Sequence, residues 1–174
     1  MSSRDRVMVA GGLALVALAA PMRLDPAPRL VWNATASAPV GLWAITPGAP
    51  IAAGDTVLAL APEPARRLAA ARGYLPFNIP LLKAVAAIEG DTVCADGHVV
   101  RVNDAVVAIG RPRDGQGRPR DGQGRPLPGW RGCVRLTEGA ALLINPAPDS
   151  FDSRYFGPVS GAAIIGRARP LWLP

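Results

Sequence analysis

The chain has 174 residues, of which 49% are hydrophobic and 18% are charged, so it can form one domain with its own apolar core. Its formal net charge is +6, but the arginines are scattered and no helix-turn-helix, zinc-finger or aromatic–basic sheet pattern accompanies them, which argues against a nucleic-acid partner. The 19 glycines and 19 prolines, together with many short apolar runs, favour strands and turns over a helix bundle.

The first predicted element is an N-terminal membrane anchor or signal segment, residues 1–23. Its run 7–22 carries no charge, whereas Arg4 and Arg6 precede it and Arg23 follows it. This pattern predicts either a retained membrane helix or a cleaved signal segment, with a buried core helix as the alternative that the terminal position and the basic flanks disfavour. Either membrane interpretation places the rest of the chain outside the cytoplasm.

The remainder, residues 24–174, is predicted to be a mainly β domain of short sheets. One short amphipathic helix is expected over 64–72, because Pro64 suits a first turn and Gly73 suits the position just after a helix end. Glycine- and proline-containing turn signals separate the apolar runs. The predicted strands are Val40–Thr46, Thr56–Ala61, Leu81–Ile88, Thr92–Cys94, Val99–Val102, Ala105–Ile109, Ala141–Asn145 and Ala163–Arg169.

A duplicated segment lies within residues 111–126, where the heptad RPRDGQG occurs twice in tandem. Because proline, glycine and charge dominate it, we expect a surface loop without a buried face, and a neutral expansion is favoured over a contact with substrate. The two cysteines, Cys94 and Cys133, flank this irregular region. Outside the cytoplasm such a pair favours a disulfide, with two free buried thiols as the alternative.

Lys83 is the only lysine of the chain, since every other basic side chain apart from one histidine is arginine. Arginine stays protonated in proteins, whereas a buried lysine can lose its proton. Both faces of the predicted strand 81–88 are apolar, so burial should lower the pKa of Lys83 and make its amine available as a general base. A structural ion pair with Glu89 or Asp91 is the alternative.

The other candidate reactive groups are few. His98 follows an Asp-Gly turn and is predicted to face solvent at a hairpin, rather than to complete a Ser-His-Asp triad. One histidine and two distant cysteines do not supply a zinc site, and no phosphate-binding glycine pattern occurs, so neither a metal nor a cofactor is expected. Ser37, in a loop of small residues after the N-terminal segment, is the candidate nucleophile for Lys83.

Four segments occur in an order that carries a family resemblance: Asn33–Trp43 around Ser37, Leu82–Val93 around Lys83, Asp149–Val159, and Ile165–Ala168. In this order they resemble the signal peptidase I family and, within it, the TraF-type conjugal transfer peptidases. One departure is the sequence Asn-Pro-Ala-Pro at 145–148, which stands where general signal peptidases have Gly-Asp-Asn. This departure favours the conjugation branch.

The resemblance implies a role for each matching residue. Ser37 is the expected nucleophile, Lys83 the general base, and Ser150 the hydroxyl that orients the lysine amine. The Thr35 hydroxyl and the Ser37 N–H are expected to form the oxyanion hole. The residues expected to brace the site from behind, with an ion pair turned away from the lysine, are Asp152, Ser153 and Arg154.

The implied function is a serine endopeptidase of the bacterial inner membrane with its catalytic domain in the periplasm. Its expected partners are membrane lipid and a membrane-inserted precursor, most specifically a conjugative pilin. If an amine captured the acyl-enzyme, the product would be a cyclic pilin. The alternatives are a general signal peptidase and a non-catalytic membrane-anchored scaffold. A cytoplasmic self-cleaving repressor is a weaker alternative, because it would need an N-terminal DNA-binding domain where this chain has a hydrophobic segment. The side chains expected to dip into the membrane interface are Leu30, Val31, Trp32 and Trp43.

Overall fold

The computed structural model describes residues 2–24, 26–97, 99–110 and 119–174. Three α-helices, α1 (Ser3–Leu24), α2 (Glu63–Ala71) and α3 (Ser153–Phe156), and a 3-10 helix (Gly161–Ala163) are present in these ranges. The strands are β1 (Leu30–Asn33), β2 (Gly41–Pro47), β3 (Thr56–Ala59), β4 (Leu81–Ala87), β5 (Thr92–Asp96), β6 (Val99–Val102), β7 (Ala105–Ile109), β8 (Arg131–Arg135), β9 (Leu142–Leu143) and β10 (Ile164–Trp172).

The strands form two antiparallel sheets, which confirms the prediction of a mainly β fold. The larger sheet has the order β1-β2-β10-β3-β4-β9 and the smaller one β7-β6-β5-β8. Buried aliphatic side chains of β3, β4 and β9, including Val57, Val85 and Leu143, pack into one cluster of the core. Because β4 pairs with β3 on one side and with β9 on the other, it lies in the interior of the larger sheet.

The N-terminal segment is helical, as predicted, and its first turn is capped reciprocally. The Ser2 hydroxyl accepts from the Asp5 N–H at 3.2 Å, and the Asp5 carboxylate accepts from the Ser2 N–H at 2.7 Å. Large apolar side chains on this helix are exposed, among them Met8 at 79% and Val7 at 69%. Among the described residues, no helix is both long and apolar enough to cross a membrane. A membrane role for this segment stays a prediction.

The smaller sheet contains the two cysteines on neighbouring strands. Cys94 of β5 lies directly opposite Cys133 of β8, and the two are joined in a disulfide with a Cα–Cα distance of 4.0 Å. Sequence analysis did not predict β8, because its run Arg131–Arg135 contains two arginines and a glycine and has no apolar face. Strand β1 was missed because its apolar residues, Leu30 to Trp32, were assigned to the membrane interface.

Several boundaries differ from the prediction for physical reasons. The amphipathic helix begins at Glu63 and ends at Ala71, one residue earlier at each end than expected. The run 141–145 is a strand only over Leu142–Leu143, because Asn145 uses its polar groups to bind other parts of the chain. Trp43 does not face a membrane: it is buried at 4% exposure, and its indole N–H donates to the Pro39 carbonyl at 3.1 Å.

The predicted surface loop over 111–126 is described only in part. Residues 111–118, with the first heptad copy, and His98 lie outside the described residues. In the second copy Gly122 and Gly124 are exposed as expected, whereas the Asp121 side chain is only 6% exposed. The expectation of a loop without buried side chains is therefore wrong at Asp121.

Candidate active site

Ser37 lies in the loop between β1 and β2, and the side chain of Asn33 organises this loop. The Asn33 amide nitrogen donates to the carbonyl oxygens of Thr35, Ala38 and Pro39 at 2.9–3.0 Å. Its oxygen accepts from the backbone N–H of Thr35 at 3.2 Å. Asn33 is buried at 8% exposure, so one side chain replaces the backbone partners that a tight loop lacks. The half-buried Ser37 hydroxyl is thereby held beside the end of the larger sheet.

Lys83 reaches the same place from the middle of β4. Its Nζ lies 3.4 Å from the Ser37 Oγ and donates to the Ser150 Oγ at 2.7 Å. The residue is only 3% exposed, which confirms the burial predicted from the apolar flanks. Burial lowers the pKa of Lys83 from 10.5 to about 8, while the Asp152 carboxylate raises it and the Arg154 guanidinium lowers it further.

The backbone on either side of Lys83 is fixed by Asn145. The Asn145 carboxamide accepts from the Ala84 N–H at 2.8 Å and donates to the Leu82 carbonyl at 3.2 Å. Asn145 is 3% exposed, so these bonds are shielded from water. Since they bracket Lys83 in the chain, they set the register of β4 against the segment that carries Ser150.

A buried ion pair holds Asn145 in turn. The Asp152 and Arg154 side chains make two bonds to each other, Nε–Oδ1 at 2.7 Å and Nη2–Oδ2 at 3.0 Å. Asp152 Oδ2 also accepts from the Asn145 N–H at 3.1 Å, and Arg154 Nη2 donates to the Asn145 carbonyl at 2.6 Å. The pair is therefore turned toward Asn145 and positions the lysine strand through it. Such bidentate, fully partnered geometry is what makes a buried pair tolerable.

Ser153 supports the same corner without facing the lysine. Its hydroxyl accepts from the Leu143 N–H at 3.0 Å, and its carbonyl accepts from the Trp130 indole at 3.0 Å. Ser153 is 0% exposed, so its hydroxyl serves the backbone rather than a substrate. This agrees with a bracing role rather than a chemical one.

The Thr35 hydroxyl lies near the site but is engaged elsewhere. It donates to the Asn33 carboxamide oxygen at 2.9 Å, and its oxygen is 3.4 Å from the Ser37 Oγ. A hydroxyl has a single proton to give. Service in an oxyanion hole therefore requires Thr35 to rotate away from Asn33.

A cavity of about 540 Å³ opens onto the Ser37 and Lys83 side chains. Most of its lining is aliphatic or aromatic, from β1, β4 and the segment 74–80; residues of this lining include Val31, Leu75, Ile79 and Leu82. The size lies within the range of ligand pockets that enclose several side chains. An apolar groove ending at a serine–lysine pair is suited to hold an extended, apolar peptide with its backbone against Ser37.

The fold is mainly β, and the family and the relatives of the chain support a serine peptidase. Residues 4–173 match the model of the family described as signal peptidase, peptidase S26. The chain is 35% identical over 151 residues to a "Probable conjugal transfer protein TraF" of Sinorhizobium fredii, covering 79% of this chain and 73% of that protein. It is 32% identical over 154 residues to a conjugal transfer protein TraF of Agrobacterium fabrum, covering 80% of each.

A solved signal peptidase I from Enterococcus faecalis is 16% identical to the chain, with a TM-score of 0.37, and covers 68% of this chain and 97% of its own. The family match and the TraF relatives carry the assignment. The chain belongs to the signal peptidase family, peptidase S26. The predicted resemblance to this family and to its TraF-type members is thereby confirmed.

The structure brings Ser37, Lys83 and Ser150 into contact, and it pairs Asp152 with Arg154 behind them. Sequence reasoning gave no role to Asn33 or Asn145. A signal existed for Asn145: a polar amide directly at the end of a buried apolar run needs backbone partners nearby. Asn145 follows the apolar run 141–144 and precedes a proline.

Proposed function

We propose that this chain is a serine endopeptidase in which Ser37 is the nucleophile and Lys83 is the general base. The observation that carries the proposal is a buried lysine amine, 3.4 Å from Ser37 and 2.7 Å from Ser150, at the end of an apolar groove. The neutral amine accepts the Ser37 proton while one of its own N–H bonds points to Ser150. Geometry and a lowered pKa together favour this role over a structural one.

The reaction is acyl transfer in two steps. In the first, the Ser37 oxygen forms a bond to the scissile carbonyl carbon as its proton moves to Lys83, and the amine leaving group departs with that proton. In the second, water or another amine attacks the acyl-enzyme and passes a proton to Lys83. The bond between the acyl carbon and the Ser37 oxygen then breaks, and Lys83 returns the proton to Ser37. The Ser37 N–H, together with a rotated Thr35 hydroxyl, stabilises the oxyanion in both steps.

The substrate we propose is a membrane-inserted precursor with an apolar segment next to the cleaved bond. The groove is lined mainly by apolar side chains, which supports an apolar peptide. Both relatives reported above are described as conjugal transfer proteins, one of them as a probable one, which supports a precursor of a conjugation system such as a pilin. In that case the second amine is the N-terminus of the precursor itself, and the product is a cyclic pilin.

Membrane association of the enzyme is supported by two exposed apolar surfaces. One is α1, with the uncharged run 7–22 between arginines. The other is formed by β1 and the end of β10, where Trp32 and Trp172 are 51% and 57% exposed and their rings lie 5.8 Å apart. Exposed tryptophans suit the boundary between lipid and water. We propose that both face the inner membrane, with residues 24–174 on its periplasmic side.

The test uses the full chain in lipid vesicles with two substrates, a pilin precursor and a secretory preprotein. Ser37→Ala and Lys83→Met should each abolish cleavage, whereas Ser160→Ala, which changes an exposed serine, should leave it intact. A wild-type rate with either variant, in folded protein, would show that Ser37 and Lys83 are not the catalytic residues. Absence of cleavage by the folded wild-type chain would favour the scaffold alternative. Preference for the secretory preprotein would establish the general signal peptidase. A product lighter by one water than the linear form identifies cyclisation.

A further inference from the structure

The second heptad copy forms a closed loop beside the active site. Within residues 119–127, called here the Asp121 loop, the Leu127 N–H donates to the Pro119 carbonyl at 2.7 Å and the Asp121 N–H donates to the Arg125 carbonyl at 2.9 Å. The Asp121 Oδ1 accepts from the backbone N–H groups of Gln123 and Arg125 at 2.9 and 2.8 Å. This is the pattern of a turn organised by an aspartate side chain.

The same carboxylate attaches the loop to the segment that follows α2. The Tyr74 hydroxyl donates a short hydrogen bond to the Asp121 Oδ2, and Arg72 Nη1 lies 3.4 Å from the same oxygen. Arg125 Nε donates to it at 2.7 Å. A second link joins Arg72 Nη2 to the Pro126 carbonyl at 2.8 Å. With the Asp121 side chain 6% exposed, these charge-assisted bonds are largely shielded from water.

This attachment reaches the cavity that contains the serine–lysine pair. Asp121, Gly122 and Leu127 line the same cavity as Ser37 and Lys83. Tyr74 lines it as well, and its ring packs edge-on against Phe151 at 5.5 Å between centroids. Phe151 directly follows Ser150, the partner of Lys83. The loop is therefore a part of the groove wall that is attached through the Asp121 carboxylate and the Pro126 carbonyl.

We propose that Asp121 is a positioning residue that fixes the Asp121 loop as a wall of the peptide groove and so determines which apolar side chains of a substrate fit. This rests on the proposed function and names a specificity determinant for the same site. With the wall in place, Leu127 and Gly122 limit the room beside the dyad. When the wall is released, the groove widens and larger apolar side chains are admitted.

Binding is measured in the Ser37→Ala background, so that no peptide is consumed. The probes are fluorescent alanine-based decapeptides that carry Ala, Leu or Phe at one of three neighbouring positions, and fluorescence anisotropy gives each Kd. Asp121→Asn keeps the shape of the side chain and removes its charge. At one of the three positions, the Kd of the Phe peptide divided by the Kd of the Ala peptide should fall roughly tenfold, which corresponds to about 1.4 kcal/mol in favour of Phe.

Two further variants separate positioning from a general structural effect. Tyr74→Phe removes only the hydroxyl and should lower the same ratio. In the double variant with Asp121→Asn, Tyr74→Phe should have a smaller effect than it has alone, because both changes disrupt the same hydrogen bond between Tyr74 and Asp121. Asp114→Asn is the matched control, because Asp114 has the same heptad neighbours in the first copy. It should leave the ratio unchanged.

Three results would overturn the inference: an unchanged ratio in both Asp121→Asn and Tyr74→Phe, additive effects in the double variant, or an equal shift in Asp114→Asn. Absence of peptide binding to the Ser37→Ala protein would also overturn it. The proposed function fails separately, when the enzyme with Ser37 intact binds the same peptides and cleaves none of them.

Discussion

The rate of peptide cleavage should rise with pH through the pKa of Lys83, because only the neutral amine accepts the serine proton. Burial lowers that pKa from 10.5 to about 8. At pH 7 roughly one amine in eleven is then neutral, against roughly one in 3000 for an ordinary lysine. Raising the pH from 7 to 9 should therefore increase kcat/KM by about tenfold, with a plateau above about pH 9.

The assay is the initial rate of cleavage at substrate concentrations far below KM, measured from pH 6 to 10 in buffers of constant ionic strength. Circular dichroism at each pH verifies that the fold is retained. A half-maximal rate near pH 8 fits a desolvated lysine as the base. A profile that is flat between pH 7 and 9, or one that rises only above pH 10, would refute the reasoning, since neither follows from a buried amine beside Ser37.

Three other perturbations test the energetics of the fold. Lys83→Met should raise the free energy of unfolding at pH 7 by about 2 kcal/mol. The pKa of Lys83 is lower in the folded than in the unfolded state, so the buried ammonium opposes folding, and the lost hydrogen bond to Ser150 offsets part of the gain. In urea titrations the gain should vanish between about pH 8 and 10.5, and destabilisation at pH 7 would contradict it. Asp152→Ala should lower the free energy of unfolding by about 3–5 kcal/mol, because it leaves a buried guanidinium without its carboxylate. Glu63→Ala, which breaks an exposed pair, should lower it by under about 1 kcal/mol. Equal losses would argue against a stabilising role for the Asp152–Arg154 pair. Replacing Cys94 and Cys133 together by alanine should lower the free energy of unfolding by at most about 4 kcal/mol, the loop-closure value for a separation of 39 residues. An unchanged thermal denaturation would show that the disulfide does not constrain the unfolded chain.

The proposed dyad was within reach of sequence reasoning because its lysine is distinctive by type. A sole lysine between apolar neighbours implies burial, and the structure places it in the interior strand of the larger sheet. The contact of Lys83 with Ser37 and Ser150 depends on residues 46 and 67 positions apart in the chain, which periodicity alone does not bring together. The family resemblance supplied that pairing.

What sequence reasoning missed were the residues that act through the backbone. Asn33 and Asn145 hold the two halves of the site by bonds to main-chain groups, and such partners depend on the tertiary path of the chain. Asp121 is another case: a surface loop without a buried face was expected, but the side chains of Arg72 and Tyr74 bind the Asp121 carboxylate. Loop composition predicts the local conformation of a segment. It does not predict which carboxylate will form hydrogen bonds with side chains from other parts of the fold.

The most direct test of the dyad is the site of acylation. The protein is mixed with a short activated peptide ester, quenched in acid within seconds, and analysed by intact and peptide-level mass spectrometry. The account predicts one acyl group per chain, attached to Ser37, that forms faster at pH 9 than at pH 7 and is absent from Ser37→Ala and from Lys83→Met. An adduct on another residue, or one that still forms on Ser37 at the full rate without the lysine, would contradict it.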